Sequence, residues 1–224
     1  MLYLVPTPIG NLEDITLRAL RILKEVDFIL AEDTRITRKL LSHYEISAPL
    51  KAYHAHNEHT FTKQVLRDLG QGQTIALVTD AGTPGISDPG FLLVNACISQ
   101  GIPYSCLPGA NAIIPAFVMS GLPLHEFTFA GFLPQKKGRR TAWLRLSKHN
   151  TTWAVYESPH RLIRSLTECI EHCGADRQIC VIREISKIHE EVRRGTAGEV
   201  LQYYESNPDK VAGEIVLVVG GLPE

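Results

Sequence analysis

Short apolar runs alternate with stretches of helical spacing through the first half of this chain, and no other feature limits its fold as strongly. Leu2 to Val5, Phe28 to Ala31, Leu50 to Tyr53, Ile75 to Thr79 and Pro103 to Leu107 read as strands. Leu17-Leu20-Leu23 and Val65-Leu66-Leu69 fall between them with apolar residues three or four apart, the period of a helix packed on one face. Strands that alternate with helices make a mostly parallel sheet covered on both faces, because parallel neighbours need a crossover. The stretch Asn95 to Gln100 closes a further helix, and Gly101 is placed to stop it.

Gly121 to Glu126 brings Pro123 and polar residues after the apolar Ile113 to Met119, which predicts a joint between a first domain, 1–121, and a second, 122–224. Phe127 to Phe132, Thr152 to Tyr156, Gln178 to Arg183 and Glu214 to Val219 read as strands of the second, with a helix from Pro159 to Cys173. The expected fold class is therefore α/β in two domains. The densest basic cluster, Lys136-Lys137-Gly138-Arg139-Arg140, reads as a surface loop.

The totals exclude several classes. A hydrophobic share of 44% and a charged share of 21% are those of an ordinary globular protein with a sizeable core. The formal charge of -1 means that any contact with a polyanion is local rather than global. Five cysteines, none in a C-x-x-C pair, suit a reducing cytoplasm. The chain opens directly on a strand with no basic leader, and no run approaches 18 apolar residues, so neither export nor a membrane span is expected.

In open α/β sheets, ligands bind beyond the carboxyl ends of the strands. The first such exit, Pro6-Thr7-Pro8-Ile9-Gly10-Asn11, lacks G-x-G-x-x-G, and its prolines remove amides that might hold a pyrophosphate. No Walker A lysine motif occurs. The fourth exit, Asp80 to Gly90, carries Gly82, Gly85 and Gly90 for close approach and Pro84 and Pro89 for stiffness. Such a loop can press main chain against a flat, uncharged group; a turn braced by Asp80 and Asp88 side chains is the simpler alternative. The fifth exit, Leu107-Pro108-Gly109-Ala110-Asn111-Ala112, is again small and flexible.

Among charged motifs, Glu32-Asp33-Thr34-Arg35 offers ribose or proton acceptors, or equally a helix cap. His54-Ala55-His56 lacks the further ligands a metal site requires, and no metal is expected. Glu157-Ser158-Pro159-His160-Arg161 lacks a nucleophile elbow. Arg183 to Glu191 concentrates charge where a buried strand should be ending. Lys136, Lys137, Arg139 and Arg140, with Arg38, Lys39, Arg193 and Arg194, are candidates for phosphate contacts.

In order and spacing, these motifs resemble the ribosomal RNA small subunit methyltransferase I family of the tetrapyrrole methylase superfamily. Pro6 to Thr16, Ala31 to Arg35, Asp80 to Gly90, Pro108 to Ala112, Gly131 to Pro134, Glu157 to Arg161 and Arg183 to Glu191 carry the likeness, which spans nearly the whole chain. The resemblance implies a tetrapyrrole methylase-like fold, with a mostly parallel sheet in the first domain and a mixed sheet in the second. It also implies an S-adenosylmethionine site in the cleft between them, a homodimer, and methylation of a cytidine ribose 2′-oxygen in 16S rRNA of the small subunit. By position, Ile9, Gly10, Ala81, Gly82, Thr83, Ile86, Ala110 and Asn111 inherit cofactor contact, with Tyr156, Glu157 and Gly213 contributed by the second domain. Asn111 stands where serine is commoner. Members often run some tens of residues past the terminal strand, whereas this sequence ends at Glu224.

Methyl transfer from a sulfonium needs alignment more than acid strength, although a ribose hydroxyl benefits from a base. Glu32, Asp33, Glu184 and Lys187 are the candidates for that part of the chemistry. Two rivals remain open on the sequence: a methylase of a tetrapyrrole or other small molecule on the same fold, and a ribosome-binding module without catalysis.

Overall fold

The computed structural model describes residues 1–222, arranged in two compact units, one from Met1 to Asn111 and one that begins at Ala112. In the first unit the elements are β1 (Leu2–Leu4), α1 (Leu17–Glu25), β2 (Phe28–Ala31), α2 (Thr34–His43), β3 (Leu50–Ala52), α3 (Glu58–Gly70), β4 (Ile75–Val78), α4 (Phe91–Ser99) and β5 (Tyr104–Cys106). The strands form one sheet in the order β3-β2-β4-β1-β5, and every pairing is parallel. β2 and β4 are buried along their whole length, as strands covered on both faces must be.

Alternation splits the sheet residues between two cores. Leu2, Leu4, Leu30, Ile75 and Leu77 point to a layer formed with Val65, Leu66 and Leu69 of α3 and Leu93 and Cys97 of α4. Ile29, Ala31, Ala76 and Val78 point the other way, against Ala19, Ile22 and Leu23 of α1 and Leu41 of α2. Each fully buried Leu or Ile contributes about 1.5–3 kcal/mol. α1 starts where the Thr16 side chain accepts from the Ala19 N–H at 3.0 Å. Register pairs Ala31 with Val78, Leu4 with Leu77 and Leu4 with Cys106, so the exits of β1, β2, β4 and β5 all leave one edge of the sheet.

The second unit holds α5 (Ile113–Ser120), β6 (Phe127–Phe132), α6 (Arg139–Leu146), β7 (Thr152–Glu157), α7 (Leu162–Cys173), β8 (Gln178–Arg183), β9 (Glu191–Thr196), α8 (Ala197–Ser206) and β10 (Ile215–Val219). Its sheet runs β6-β7-β10-β8-β9 and is mixed: β6 lies parallel to β7 and the remaining pairs are antiparallel. Trp143, Trp153, Leu162, Leu166, Val200, Tyr204 and Leu217 form its main core. The two tryptophan rings meet edge to face at 5.7 Å.

α5 packs on β8 and β10. It buries Ile113, Ala116 and Phe117, and Arg194 donates to the carbonyls of Met119 and Ser120 at its end. The apolar run before Gly121 thus groups with the second unit, and the chain leaves the first unit just after the β5 exit rather than at residue 121. Among the described residues no helix is long and apolar enough to cross a membrane.

Candidate active site

Three strand exits of the first unit interlock at the carboxyl edge of its sheet. Thr7 and Gly82 exchange backbone hydrogen bonds at 3.0 and 2.9 Å, joining the β1 and β4 exits. The Thr7 hydroxyl donates to the Thr79 carbonyl at 3.0 Å, and that of Thr83 to the Ala110 carbonyl at 3.2 Å, which brings in the β5 exit. Gly82 has φ +79°, a conformation that strains any residue with a side chain. Gly109 is required for a different reason: a Cβ there would stand 2.7 Å from the Pro6 Cβ.

The sequence-predicted cofactor residues of this unit are therefore gathered on one surface. Ile9, Thr83, Ala110 and Asn111 are half-buried on it, Gly82 is buried, and Gly10, Ala81 and Ile86 are exposed. A pocket of about 250 Å³ opens beside it against α2, with Thr7, Pro8, Gly10, Ile36, Lys39 and Asp80 among its walls.

The adjacent exits of β2 and β4 bring carboxylates together. The Asp33 N–H donates to Asp80 at 3.0 Å. Asp33 itself caps α2 and accepts from the Arg35 backbone and guanidinium at 2.6 to 3.2 Å. Those hydrogen bonds from the Arg35 side chain and backbone push its carboxyl down to about 2, which makes it a poor proton acceptor. Glu32 moves upward, through burial and then the Asp80 charge. Asp80 also rises, mainly through burial. Asp88 rises furthest, to about 7, through burial and the charges of Glu32 and Asp80.

Asp80 and Asp88, for which a turn brace is the simpler alternative on the sequence, thus join Glu32 in a group of acids all shifted upward, Asp88 to about 7. The available signal was the strand order. Once β2 and β4 are neighbours, the acids that follow each strand must meet.

In the second unit, the exit of β8 and the start of β10 form one knot. Glu184 Oε1 accepts from the Glu214 N–H at 2.7 Å and from Lys187 Nζ at 3.0 Å, and Lys187 Nζ reaches Glu214 Oε2 at 3.1 Å. Glu184 and Ser186 adopt left-handed backbone, φ 56° and 66°, a strain of about 1–3 kcal/mol each that surrounding contacts must offset. Gly213 makes room for the knot, since a Cβ there would lie 2.6 Å from the Glu184 side chain. Burial acts to raise the Glu184 carboxyl, but the Glu214 N–H and the Lys187 ammonium prevail and lower it. Glu184 therefore serves better as a fixed anion than as a base.

Tyr156 is half-buried, with Phe129 and Phe132 rings 4.9 and 5.3 Å away. Glu157 is buried and engaged internally: it accepts from Ser158 N at 2.7 Å, Arg161 Nε at 2.8 Å and the Ser165 hydroxyl. The basic cluster departs from the expected surface loop, because Arg139 opens α6 and turns inward with Trp143 and Leu146. Its guanidinium is 2% exposed and bonded to Glu168 at 2.7 Å, Ser165 at 2.6 Å and the Pro134 carbonyl at 3.3 Å. Arg139 is thus withdrawn from the candidate phosphate contacts, whereas Lys136, Lys137 and Arg140 stay exposed.

Residues 1–201 match the family model described as Tetrapyrrole (Corrin/Porphyrin) Methylases. The chain is 49% identical over 224 residues to a protein of Halalkalibacterium halodurans named ribosomal RNA small subunit methyltransferase I, of which it covers 76%. It is 44% identical over 220 residues to the Thermotoga maritima protein of the same name, with 98% of each chain covered. Among solved structures it resembles a cobalt precorrin-4 methyltransferase, with TM-score 0.71 at 17% identity over 98% of this chain and 94% of that one. It also resembles the uroporphyrin-III C-methyltransferase of Thermus thermophilus complexed with S-adenyl homocysteine, with TM-score 0.66 at 20% identity over 98% and 96%. The chain belongs to the tetrapyrrole methylase family and, within it, to the ribosomal RNA small subunit methyltransferase I proteins.

Proposed function

We infer that this protein transfers the methyl group of S-adenosylmethionine to the 16S rRNA of the small ribosomal subunit, onto the 2′-oxygen of a cytidine ribose. The observation that carries the reading is 44–49% identity, over nearly the whole chain, to relatives named for methylating that RNA. A tetrapyrrole substrate is not favoured, because the tetrapyrrole enzymes among the solved structures share only 17–22% identity and speak for the fold alone.

The first unit fits the proposed methyl donor. An adenosyl sulfonium carries no phosphate, and the interlocked exits present main chain, Gly82, Ala81, Ala110 and the half-buried Ile9 rather than a phosphate grip. When bound, the donor supplies a methyl carbon on a positively charged sulfur. Gly82 supplies the left-handed backbone that shapes its site, and Gly109 keeps the β5 exit against Pro6 at a separation that a side chain would widen. Thr7 and Thr83 lock the three exits together, so little loop ordering remains to be done on binding.

The acceptor hydroxyl would give up its proton as its oxygen takes the methyl group and the carbon–sulfur bond breaks to leave a neutral thioether. Asp88, held at about 7 by burial and by the neighbouring Glu32 and Asp80, is suited to take it, since a base works best near the ambient pH. Lys187, held by Glu184 and Glu214, acts as a fixed cation toward the RNA. The protein acts in the cytoplasm as a homodimer.

The test is incubation of the purified chain with tritiated-methyl S-adenosylmethionine and small subunits that lack the modification. Digestion and mass spectrometry should place one methyl on a ribose. Label on a base, or none at all, overturns the reading.

A further inference from the structure

We propose that α6 and the loop before it form a rigid cationic ridge that grips the phosphate backbone of the substrate rRNA, a step that rests on the function proposed above. From Phe127 to Tyr156 the chain carries six Lys and Arg residues and no Asp or Glu. Of 23 basic residues six fall in this stretch, so the rest of the chain sets 17 against 24 acids. The molecule's near-neutral total conceals one strongly basic segment in an otherwise acidic protein.

The structure separates these six by role. At the helical period, Arg139 falls on the inner face of α6 with Trp143 and Leu146, whereas Arg140 and Arg145 lie on the outer side with Thr141, and Lys148 is exposed in the turn that follows. Lys136 and Lys137 extend the exposed side through the preceding loop. Arg140 to Arg145 covers about 7.5 Å at helical rise, and the loop before the helix and the turn after it lengthen the row to face several phosphates of one strand.

Two arginines, the buried Arg139 and the exposed Arg164, pin the loop and make the ridge rigid. Arg139 donates to the Pro134 carbonyl at 3.3 Å, and Arg164 of α7 donates to the Gln135 carbonyl at 3.4 Å. Both are also tied to Glu168, at 2.7 and 2.9 Å. The loop that carries Lys136 and Lys137 is therefore held by its own backbone. Among the described residues no ion pair involves Lys136, Lys137, Arg140, Arg145 or Lys148, so five charges stand ready for an outside anion.

RNA suits this face better than an anionic membrane does. A helix that lies in a lipid interface needs a broad apolar side toward the lipid. The outer face of α6 offers only Leu144, at 46% exposure, as a large apolar residue. A polyanion bound through counterion release needs the charges alone.

The experiment compares three full-length proteins: the natural chain, a ridge variant with Lys136→Gln, Lys137→Gln, Arg140→Gln, Arg145→Gln and Lys148→Gln, and a control with Lys24→Gln and Lys63→Gln. Affinity for 16S rRNA is measured across a salt series, together with methyl transfer to small subunits and calorimetric affinity for S-adenosylmethionine. The ridge variant should lose roughly 3 to 5 from the slope of log affinity against log salt, near 0.7–0.9 for each phosphate contact removed. Its KM for subunits should rise about tenfold or more, while donor affinity holds and the control matches the natural chain.

A natural chain that methylates subunits while the ridge variant does so with an unchanged KM and salt slope overturns the ridge and leaves the function standing. A natural chain that neither binds nor methylates the RNA overturns both. Binding to vesicles of anionic phospholipid that the variant loses, with rRNA affinity unaltered, overturns the choice of RNA.

Discussion

The Asp33 N–H donates to the Asp80 carboxylate at 3.0 Å across 47 residues of sequence, tying together the exits of two adjacent parallel strands. Asp80 thereby has two effects: it anchors the β2 exit, and its charge, with that of Glu32, adds to the burial that holds Asp88 up. Asp80→Asn keeps an oxygen for the Asp33 donor but removes the charge. The Asp88 carboxyl should then titrate below about 7. If this group accepts the proton from the RNA, the acid limb of the kcat/KM profile moves to lower pH in the variant. A limb that stays in place assigns the proton to another residue.

Asp88 also makes stability depend on pH, and the sign follows from the direction of its shift. Its carboxyl titrates at about 7 in the folded chain against an ordinary 3.8. Between those values the folded state keeps a proton that the unfolded state has lost, so this group lowers stability as pH rises from about 4 to 7. Asp88→Asn should stabilise the protein by on the order of 1–2 kcal/mol at pH 8, after solvent screening of a half-exposed group, and by almost nothing at pH 4. Urea titrations at the two pH values measure the difference directly. Equal effects at both would mean that Asp88 titrates normally.

Gly109→Ala places a methyl group 2.7 Å from the Pro6 Cβ and 3.0 Å from its Cγ. Neither the proline ring nor the main chain can yield freely. Overpacking of this kind costs about 1–3 kcal/mol, and the shift should spread through Thr83 and Thr7 to weaken S-adenosylmethionine binding. Gly70→Ala is the matched control, since it lies in α3 with nothing within 4 Å of the added carbon. It should leave donor affinity unchanged and stabilise the helix by up to about 1 kcal/mol. Calorimetric binding that is equal for both variants would remove Gly109 from the donor site.

Arg139→Ala should destabilise the second unit far more than Arg140→Ala. Removal of Arg139 leaves Glu157 and Glu168 without their buried cation and the Ser165 hydroxyl without its donor. Breaking one side of such a pair costs about 3–5 kcal/mol, whereas an exposed substitution usually stays within about 0.5 kcal/mol. Urea midpoints for the two variants provide the comparison. Similar midpoints would contradict the assignment of Arg139 to the interior.

The contrast between these neighbouring arginines shows where sequence reading succeeds and where it stops. Runs such as Ile75 to Val78 announce themselves, because a strand buried on both faces must be apolar throughout. The glycine-rich exits were legible for a related reason: left-handed backbone and close approach admit few other residues. Arg139 and Arg140 are chemically alike, and only the phase of α6, set by Trp143 and Leu146, turns one inward. β9 was hidden because Glu191 to Thr196 is an edge strand with polar side chains, lacking the apolar signal of its neighbours. Asp88 was missed because its titration arises from Glu32 and Asp80, which become its neighbours only after the sheet has formed.

Gly213 and Glu184 provide the last prediction, since one exists to accommodate the other. Glu184 holds a strained φ of 56° and uses Oε1 for both the Glu214 N–H and the Lys187 ammonium. Glu184→Ala should release Lys187 and lower kcat by about 10- to 100-fold, with S-adenosylmethionine affinity nearly unchanged, as expected for an interaction made in the transition state. Gly213→Ala should reproduce that pattern without touching a charged group, because the added carbon would lie 2.6 Å from the Glu184 side chain and displace its carboxylate. Glu184→Gln, which keeps an acceptor oxygen, should retain much more turnover than Glu184→Ala. Steady-state kinetics beside calorimetry separates the cases: equal losses in kcat and donor affinity would show that the knot holds the donor rather than orienting Lys187.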